Sequence, residues 1–386
     1  MRILVCYPVR HTGGAQNLIA RVSTQLARSF PVQLIVCDFV DGYVKSVLEE
    51  NSIEFDFFEY DELSQLRIDG DCVFLTPLSE LSNFNYDFLP SSIKILTWAI
   101  HPSGFLSFFR YRSVYTKFPV RFSGGIARVL EFFRFRQLRE MIGSLTINGG
   151  LISMDAANSS SMSSFFTCDF AMPIIPIGIE LNQPCSGENF SRCGPIEFVW
   201  LGRIDKDKYR SILHVGNTLS FLADHFGRDL VLHVIGEGDS LSRLKKQSFE
   251  GVEMRYPGTL SGAALDDYLK TGLYVGFAMG TSVLELVKLN VLTFTIDLIR
   301  FRGVFPFTNI YLFSSCADAY LGDVSYMPKK TISLDQFKQC LSSYDATCLD
   351  QSNFLHGTFD VTSISSDIYD RCLTTKVTWA MLRTIL

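Results

Sequence analysis

Segments that read as buried strands alternate with segments that read as amphipathic helices from the first residue onward. This rhythm restricts the fold more than any single motif. Arg2–Tyr7 is a strand-like apolar run followed by the turn His11-Thr12-Gly13-Gly14. In Gln16–Ser29, Leu18, Ile19, Val22 and Leu26 recur at helical spacing. Val32–Cys37 reads as the next strand, Gly42–Asn51 as a helix, and Cys72–Leu75 and Ile93–Ile100 as further strands. The second half repeats the pattern, with strands at Glu197–Leu201, Leu230–Ile235, Val252–Tyr256, Leu273–Ala278 and Val291–Ile296. Helices fall between them at Ser211–Asp224, Gly262–Lys270 and Thr281–Asn290. Such alternation predicts the α/β class with doubly wound parallel sheets, and 386 residues suffice for two domains. From Pro173 to Pro195 the chain gathers four prolines and three glycines, a composition suited to an interdomain linker. The expected organisation is a Rossmann-like domain over 1–180, a second over 181–365, and a helix over 366–386 packing back on the first.

Hydrophobic residues make up 47% of the chain and charged residues 19%, enough apolar material for sizeable cores and against extended disorder. The net charge of −5 argues against an overall basic nucleic-acid binder. Ten cysteines without a C-x-x-C pair read as buried thiols of a reducing compartment rather than as a zinc site or disulfide framework. The opening residues lack the pattern of a signal peptide. No window offers the roughly 18 uninterrupted apolar residues of a spanning helix. The expectation is a cytoplasmic protein, and the sequons at Asn158 and Asn189 then carry no weight.

In open parallel sheets, ligands bind beyond the carboxyl ends of the strands. Gly202-Arg203 and Lys208 follow one such strand in the second half. Two fixed cations there would neutralise a diphosphate and stabilise it as a leaving group. Gly236-Glu237-Gly238 follows the next, where backbone can approach a base or ribose. Gly280-Thr281-Ser282 opens a helix whose free amides form an anion site, and Glu285, one turn on, is placed to accept from a ribose. Each also has a plain reading: a solvated cation pair, a turn, a helix cap. Their order along one domain strengthens the joint reading.

Together these residues resemble retaining glycosyltransferases of the GT-B fold, particularly family four. Glu197–Lys208 is similar to that family's strand–Gly-Arg–Lys signature, and His233–Asp239 to its "ivG.G" segment. Val252–Gly258 and Leu265–Leu269 follow its next stretch, and Gly280–Glu285 matches the end of its E-x7-E motif. The resemblance covers residues 196–297 well and the first half loosely. It implies two Rossmann-like domains facing a central cleft, a nucleotide-sugar donor held in the second domain, and no cofactor. The first glutamate of E-x7-E falls at Phe277. In the family that glutamate contacts the transferred sugar and the second contacts the ribose, so sugar recognition must differ or be weakened here. A phenyl ring cannot replace those hydrogen bonds.

By the same resemblance the first half supplies the acceptor side. Gly13-Gly14-Ala15-Gln16 occupies the place of a loop that touches the donor diphosphate, although an ordinary strand-to-helix turn explains it equally. His101 ends the strand Ile93–Ile100, where family members often carry a histidine near the reacting sugar; a structural histidine is the plain alternative. His11 is a weaker candidate, and Asp155 a possible cleft residue without an assigned role. Asp69-Gly70-Asp71 is rejected as a metal-binding D-x-D, because it precedes its strand at the end opposite the expected site.

Ser107–Arg139 carries eight basic residues, one acid (Glu131) and nine aromatics, a net +7 that leaves −12 for the remainder. Interleaved cations and aromatics suit an anionic membrane surface or a polyprenyl-diphosphate acceptor, with a basic cleft wall as the alternative and nucleic acid disfavoured. At helical spacing Val129–Arg139 does not resolve into one apolar and one basic face. The leading expectation is a metal-independent transfer of a sugar from a nucleotide-sugar donor to a lipid-linked or saccharide acceptor with retention, peripheral on the inner face of the membrane. The alternatives are a non-catalytic GT-B protein that binds a partner glycosyltransferase or a glycan, which Phe277 favours, and a nucleotide-sugar epimerase. A dehydrogenase ranks last, because no G-x-G-x-x-G follows either opening strand.

Overall fold

The computed structural model describes residues 1–10, 13–65, 68, 71–82, 89–181, 196–299, 305–316, 318–322 and 331–385. The chain divides into two compact units, Met1–Glu180 with Phe359–Leu386, and Leu181–Thr358. The return to the first unit thus begins at Phe359, ahead of the expected 366. Most of the expected linker, residues 182–195, lies outside the described residues together with Cys185, Cys193 and Asn189.

The first unit is a six-stranded parallel sheet of β1 (Arg2–Cys6), β2 (Gln33–Asp38), β3 (Phe55–Glu59), β4 (Cys72–Pro77), β5 (Lys94–Ala99) and β6 (Leu151–Ser153), in the order β3-β2-β1-β4-β5-β6. Helices cover it, so β4 is buried at every position and its sequence is a continuous apolar run rather than an alternating one. The helix Gly14–Ser29 turns Leu18, Ile19, Val22 and Leu26 inward, as their spacing predicts. Between β5 and β6 runs a long excursion containing the helices Val120–Leu130 and Phe132–Ile147. The end of the chain is built into this unit. Ile95 N–H donates to Val377 C=O at 2.9 Å, and Val377, Trp379 and Leu382 lie in the unit's core. The helix Val361–Thr374 lies along Gly14–Ser29, with Tyr369 stacked on Phe30 at 4.5 Å.

The second unit has β7 (Glu197–Leu201), β8 (Leu230–Ile235), β9 (Val252–Gly258), β10 (Tyr274–Ala278), β11 (Leu292–Ile296) and β12 (Ile310–Leu312), in the order β12-β11-β10-β7-β8-β9. Five strands are parallel, but β12 runs antiparallel to β11. Asp297 N–H donates to Asn309 C=O at 3.1 Å, so the chain comes back as a hairpin, and a hairpin return makes the pair antiparallel. Phe198, Phe277, Phe294 and Phe337 stack in series through its core. In each sheet the strand order reverses once, between β1 and β4 and between β7 and β10. These reversals are the places where loops part and leave room for a ligand.

Among the described residues, all eight cysteines are free thiols, seven of them buried. No helix among those residues is long and apolar enough to cross a membrane.

Candidate functional site

At the reversal in the second unit, Ala278 lies beside Leu201, and the loops that follow them come together. Gly202 has φ +145°, and a methyl group placed on it would lie 3.6 Å from Ser282 Oγ and 3.9 Å from Lys208 Nζ. A hydroxyl from the first turn of the helix after β10 and an ammonium from the loop after β7 therefore converge on the backbone of Gly202. Gly280, at φ +64°, begins the helix Thr281–Lys288 without a side-chain cap. Its own amide donates to Leu321 C=O at 2.7 Å. The amides of Thr281 and Ser282 come next, in the first turn, where the dipole is positive, while Val283 N–H turns back to Gly280 C=O at 3.1 Å. Glu285, half-buried, stands one turn further on. Together these groups can hold an anion next to a hydroxylated ligand. Arg203 is placed differently. Its guanidinium is 74% exposed and pairs with Asp205 at 2.8 Å, a contact that water largely screens.

Gly236 and Gly238 have φ of 141° and 154°, and both serve loop packing. A methyl group on Gly236 would sit 2.2 Å from Gly202 C=O, and one on Gly238 would sit 2.5 Å from Asp205 Oδ1. Ile204 N–H donates to Glu237 C=O at 2.8 Å, and Ser240 N–H to Ile204 C=O at 2.9 Å. The glycines are thus required to clasp the loop that carries Arg203 and Asp205.

Phe277, at the position of the first glutamate of E-x7-E, is fully buried within β10. Its ring stacks on Phe198 at 6.1 Å and Phe294 at 5.8 Å, so the side chain enters the core and makes no part of the anion site. His233 is also structural. Its Nδ1 lies 2.7 Å from Tyr268 Oη and its Nε2 2.9 Å from Glu197, at the amino-terminal end of β7, away from the loops. Burial is the main influence on it and lowers its pKa.

In the first unit, Gly13 is extended at φ −167° and precedes the helix Gly14–Ser29 without a side-chain cap. His101 follows β5. Its Nδ1 accepts the backbone N–H of Ser103 at 3.2 Å and lies 2.9 Å from Ser103 Oγ. An amide can only donate, so the neutral ring carries its proton on Nε2 and offers a donor there. The ring lines a small recess with Ser79, Trp98 and Phe105, and this surrounding protein lowers its pKa. Asp155 is the buried N-cap of Ala156–Phe166, accepting from Asn158 N–H at 2.7 Å, rather than a cleft residue. Asn158 is buried as well and donates its side-chain amide to the same carboxylate. His11 lies outside the described residues, as do Asp69 and Gly70. Asp71 pairs with Lys94 at 3.3 Å. Among the described residues no cluster of three or more His, Cys, Asp or Glu could hold a metal ion.

Two carboxylates that shape these loops went unnoticed in the sequence. Asp38, buried at the end of β2, accepts N–H groups from Val9 (3.2 Å), Phe39 (2.8 Å), Val44 (3.1 Å) and Lys45 (3.3 Å). It ties the segment after β1 to the helix Tyr43–Glu50, and burial is the dominant influence raising its pKa. Asp297, buried at the end of β11, accepts from the hydroxyls of Tyr311 and Tyr320. An Asp ending a strand just ahead of a Gly and a helix was the available signal for Asp38.

No family model matches the chain, and no curated protein matches it in sequence. Solved structures do. The chain is similar to Anabaena Alr3699/HepE, crystallised with UDP and glucose, at 12% identity and a TM-score of 0.54, covering 96% of this chain and 98% of that one. It is similar to the lipopolysaccharide outer core galactosyltransferase WaaB at 12% identity and a TM-score of 0.56, covering 98% and 100%. It is also similar to the N-terminal domain of Candida albicans trehalose-6-phosphate phosphatase, at 12% identity and a TM-score of 0.54 over 97% of both chains. The fold is GT-B.

Proposed function

We propose that this protein is a glycosyltransferase of the family-four type. It moves a sugar from a nucleotide-sugar donor to a lipid-linked or saccharide acceptor, with retention and without a metal or other cofactor, at the inner face of the membrane. The convergence of Lys208 and Ser282 over Gly202, at the strand-order reversal and beside an uncapped helix start, is the observation that carries this reading. A diphosphate there would meet the Lys208 ammonium and the hydroxyls and first-turn amides of Thr281 and Ser282. Charge developing on the departing diphosphate would be stabilised by groups already in place. Arg203 would leave its exposed pair with Asp205 to join them. Glu285 would accept from the ribose, and His101 would donate from Nε2 to a sugar or acceptor oxygen. Similarity to a protein crystallised with UDP and glucose makes a uridine diphosphate sugar the first donor to try.

The experiment is calorimetric titration with uridine diphosphate, with and without EDTA, followed by transfer from UDP-sugars with the anomeric configuration of the product read by NMR. Binding that survives EDTA, and a product that keeps the donor's configuration, are expected. No nucleoside diphosphate bound by the parent would overturn the reading. Burial of Phe277, where a sugar-binding glutamate would stand, favours one second reading, a GT-B protein that binds a nucleotide or glycan without transferring sugar. Tight binding without turnover on any acceptor would select it.

A further inference from the structure

The helix Val120–Leu130 is built with its small residues inward. Ser123, Gly124 and Ala127 are buried against the helix Ala156–Phe166, so closely that a methyl group on Gly124 would lie 1.9 Å from Phe165 C=O. Ser123 Oγ donates to Tyr115 C=O at 2.6 Å on the same side. The bulky apolar residues face out. Phe122 and Val129, 59% and 79% exposed, form one stripe at helical spacing with Ile126, which is half-buried against the core beneath them. Exposed Phe118 packs on Phe122 at 5.5 Å, Leu130 lines the same groove, and Phe133, 81% exposed, follows on the first turn of Phe132–Ile147 with its ring 5.6 Å from exposed Phe132. A contiguous apolar patch of this kind marks an interaction surface.

Charge identifies the partner. Arg121 and Arg128 run alongside the apolar stripe, Arg134 and Arg136 follow it, and all eight basic residues of the window are exposed, Arg136 in a water-screened pair with Glu140 at 2.9 Å. Glu131, its one acid, is engaged at the junction of the two helices. It accepts from the amides of Arg110 (3.0 Å) and Tyr111 (3.1 Å) and from Tyr115 Oη (2.8 Å). A second copy of this face would bring like charge against like charge. An anionic bilayer satisfies both components, with guanidinium groups at the phosphate level and apolar side chains at the acyl boundary.

We propose that Phe122, Ile126, Val129 and Phe133, flanked by Arg121, Arg128, Arg134 and Arg136, form a docking surface for an anionic lipid bilayer. This deepens the membrane side of the function proposed above and is testable apart from it. The full chain would be sedimented with vesicles of phosphatidylcholine alone or of phosphatidylcholine with phosphatidylglycerol. The parent is expected to partition to the anionic vesicles and to be released by salt. The set Phe122→Ser, Val129→Ser, Phe133→Ser should lower partition at least about tenfold, as should the set Arg121→Gln, Arg128→Gln, Arg134→Gln, Arg136→Gln. Both sets replace exposed side chains, and an unchanged melting temperature would show that the fold persists. Vesicle binding that follows the variants while no protein binds nucleotide would support docking and overturn only the transferase reading. No partition by the parent, or undiminished partition by both sets, would overturn the docking surface. A parent dimer made monomeric by the serine set, without vesicle binding, would also overturn it, assigning the face to self-association.

Discussion

The two units share one strand order, although the last strand runs parallel in the first sheet and antiparallel in the second. Numbered from its own first strand, each has the order 3-2-1-4-5-6, and they differ in what lies beyond the strands. The second unit joins strand to helix through short loops with glycines at positive φ, two of which, Gly236 and Gly238, press against neighbouring backbone. The first unit places a long helical excursion between β5 and β6, rich in exposed cations and aromatics. On the functions proposed above, one scaffold would support two kinds of recognition: rigid backbone that can close around a small anion, and side chains that cover a broad surface. A tight loop tolerates little substitution, whereas an exposed helix face tolerates much.

The largest expected effect tests the second unit's core. Restoring the motif with Phe277→Glu should not create a sugar ligand, because the new carboxylate would be buried in the aromatic stack without a partner. It should destabilise by about 3–5 kcal/mol, measured by urea unfolding. Next comes a pair of glycines. Gly236→Ala, with positive φ and a methyl group 2.2 Å from Gly202 C=O, should cost about 1–3 kcal/mol. Gly13→Ala, in extended backbone against only the end of the Gln16 side chain, should change stability by less than about 1 kcal/mol. Similar losses at both positions would erase the contrast between rigid and permissive loops.

A third comparison concerns binding. Lys208→Ala and Glu285→Ala should each weaken nucleoside diphosphate binding by about 1–3 kcal/mol, and Ser282→Ala by about 0.5–1.5 kcal/mol, in calorimetry. Arg203→Ala should weaken it less than Lys208→Ala, since binding must first break the ion pair with Asp205. The smallest effect is on pH dependence. Burial lowers the pKa of His214 and His233 in the folded chain, so the unfolded state takes up protons first as pH falls. Stability is then complete above the ordinary histidine pKa of about 6.5 and declines below it. Melting temperatures measured from pH 7.5 to 5.5 should fall accordingly, and a flat profile would contradict the buried neutral rings.

Much of this architecture was legible because strands buried on both faces write themselves as apolar runs. All five parallel strands of the second unit and four of the first were placed within a residue or two. The others are short or atypical. Phe55–Glu59 carries two acids and is only half-buried, while Leu151–Ser153 and Ile310–Leu312 are three residues each. Helical phasing failed over Val129–Arg139 for a specific reason. Glu131, at φ −131° and ψ 48°, ends one helix and precedes the next, so a single phase mixes two faces. At the site, the sequence pointed to Lys208 and Ser282 separately, but their approach over Gly202 depends on the pairing of β7 with β10. Gly236 and Gly238 drew attention as ligand-facing backbone, whereas their geometry answers to Gly202, Ile204 and Asp205. Periodicity records which face is buried; it says little about which loop leans on which.

The first unit's reliance on residues 359–386 sets an order of events during synthesis. Val377, Trp379 and Leu382 complete its core, and the Ile95–Val377 bond closes a span of nearly three hundred residues. At roughly 5–20 residues per second, the ribosome needs about 10–40 s to travel from residue 180 to residue 377. Throughout that interval the nascent first unit exposes the apolar surface those side chains will cover, while the second unit emerges with its whole sequence in hand. The unit made first is therefore the one that finishes last, and its incomplete core is where chaperones would be needed.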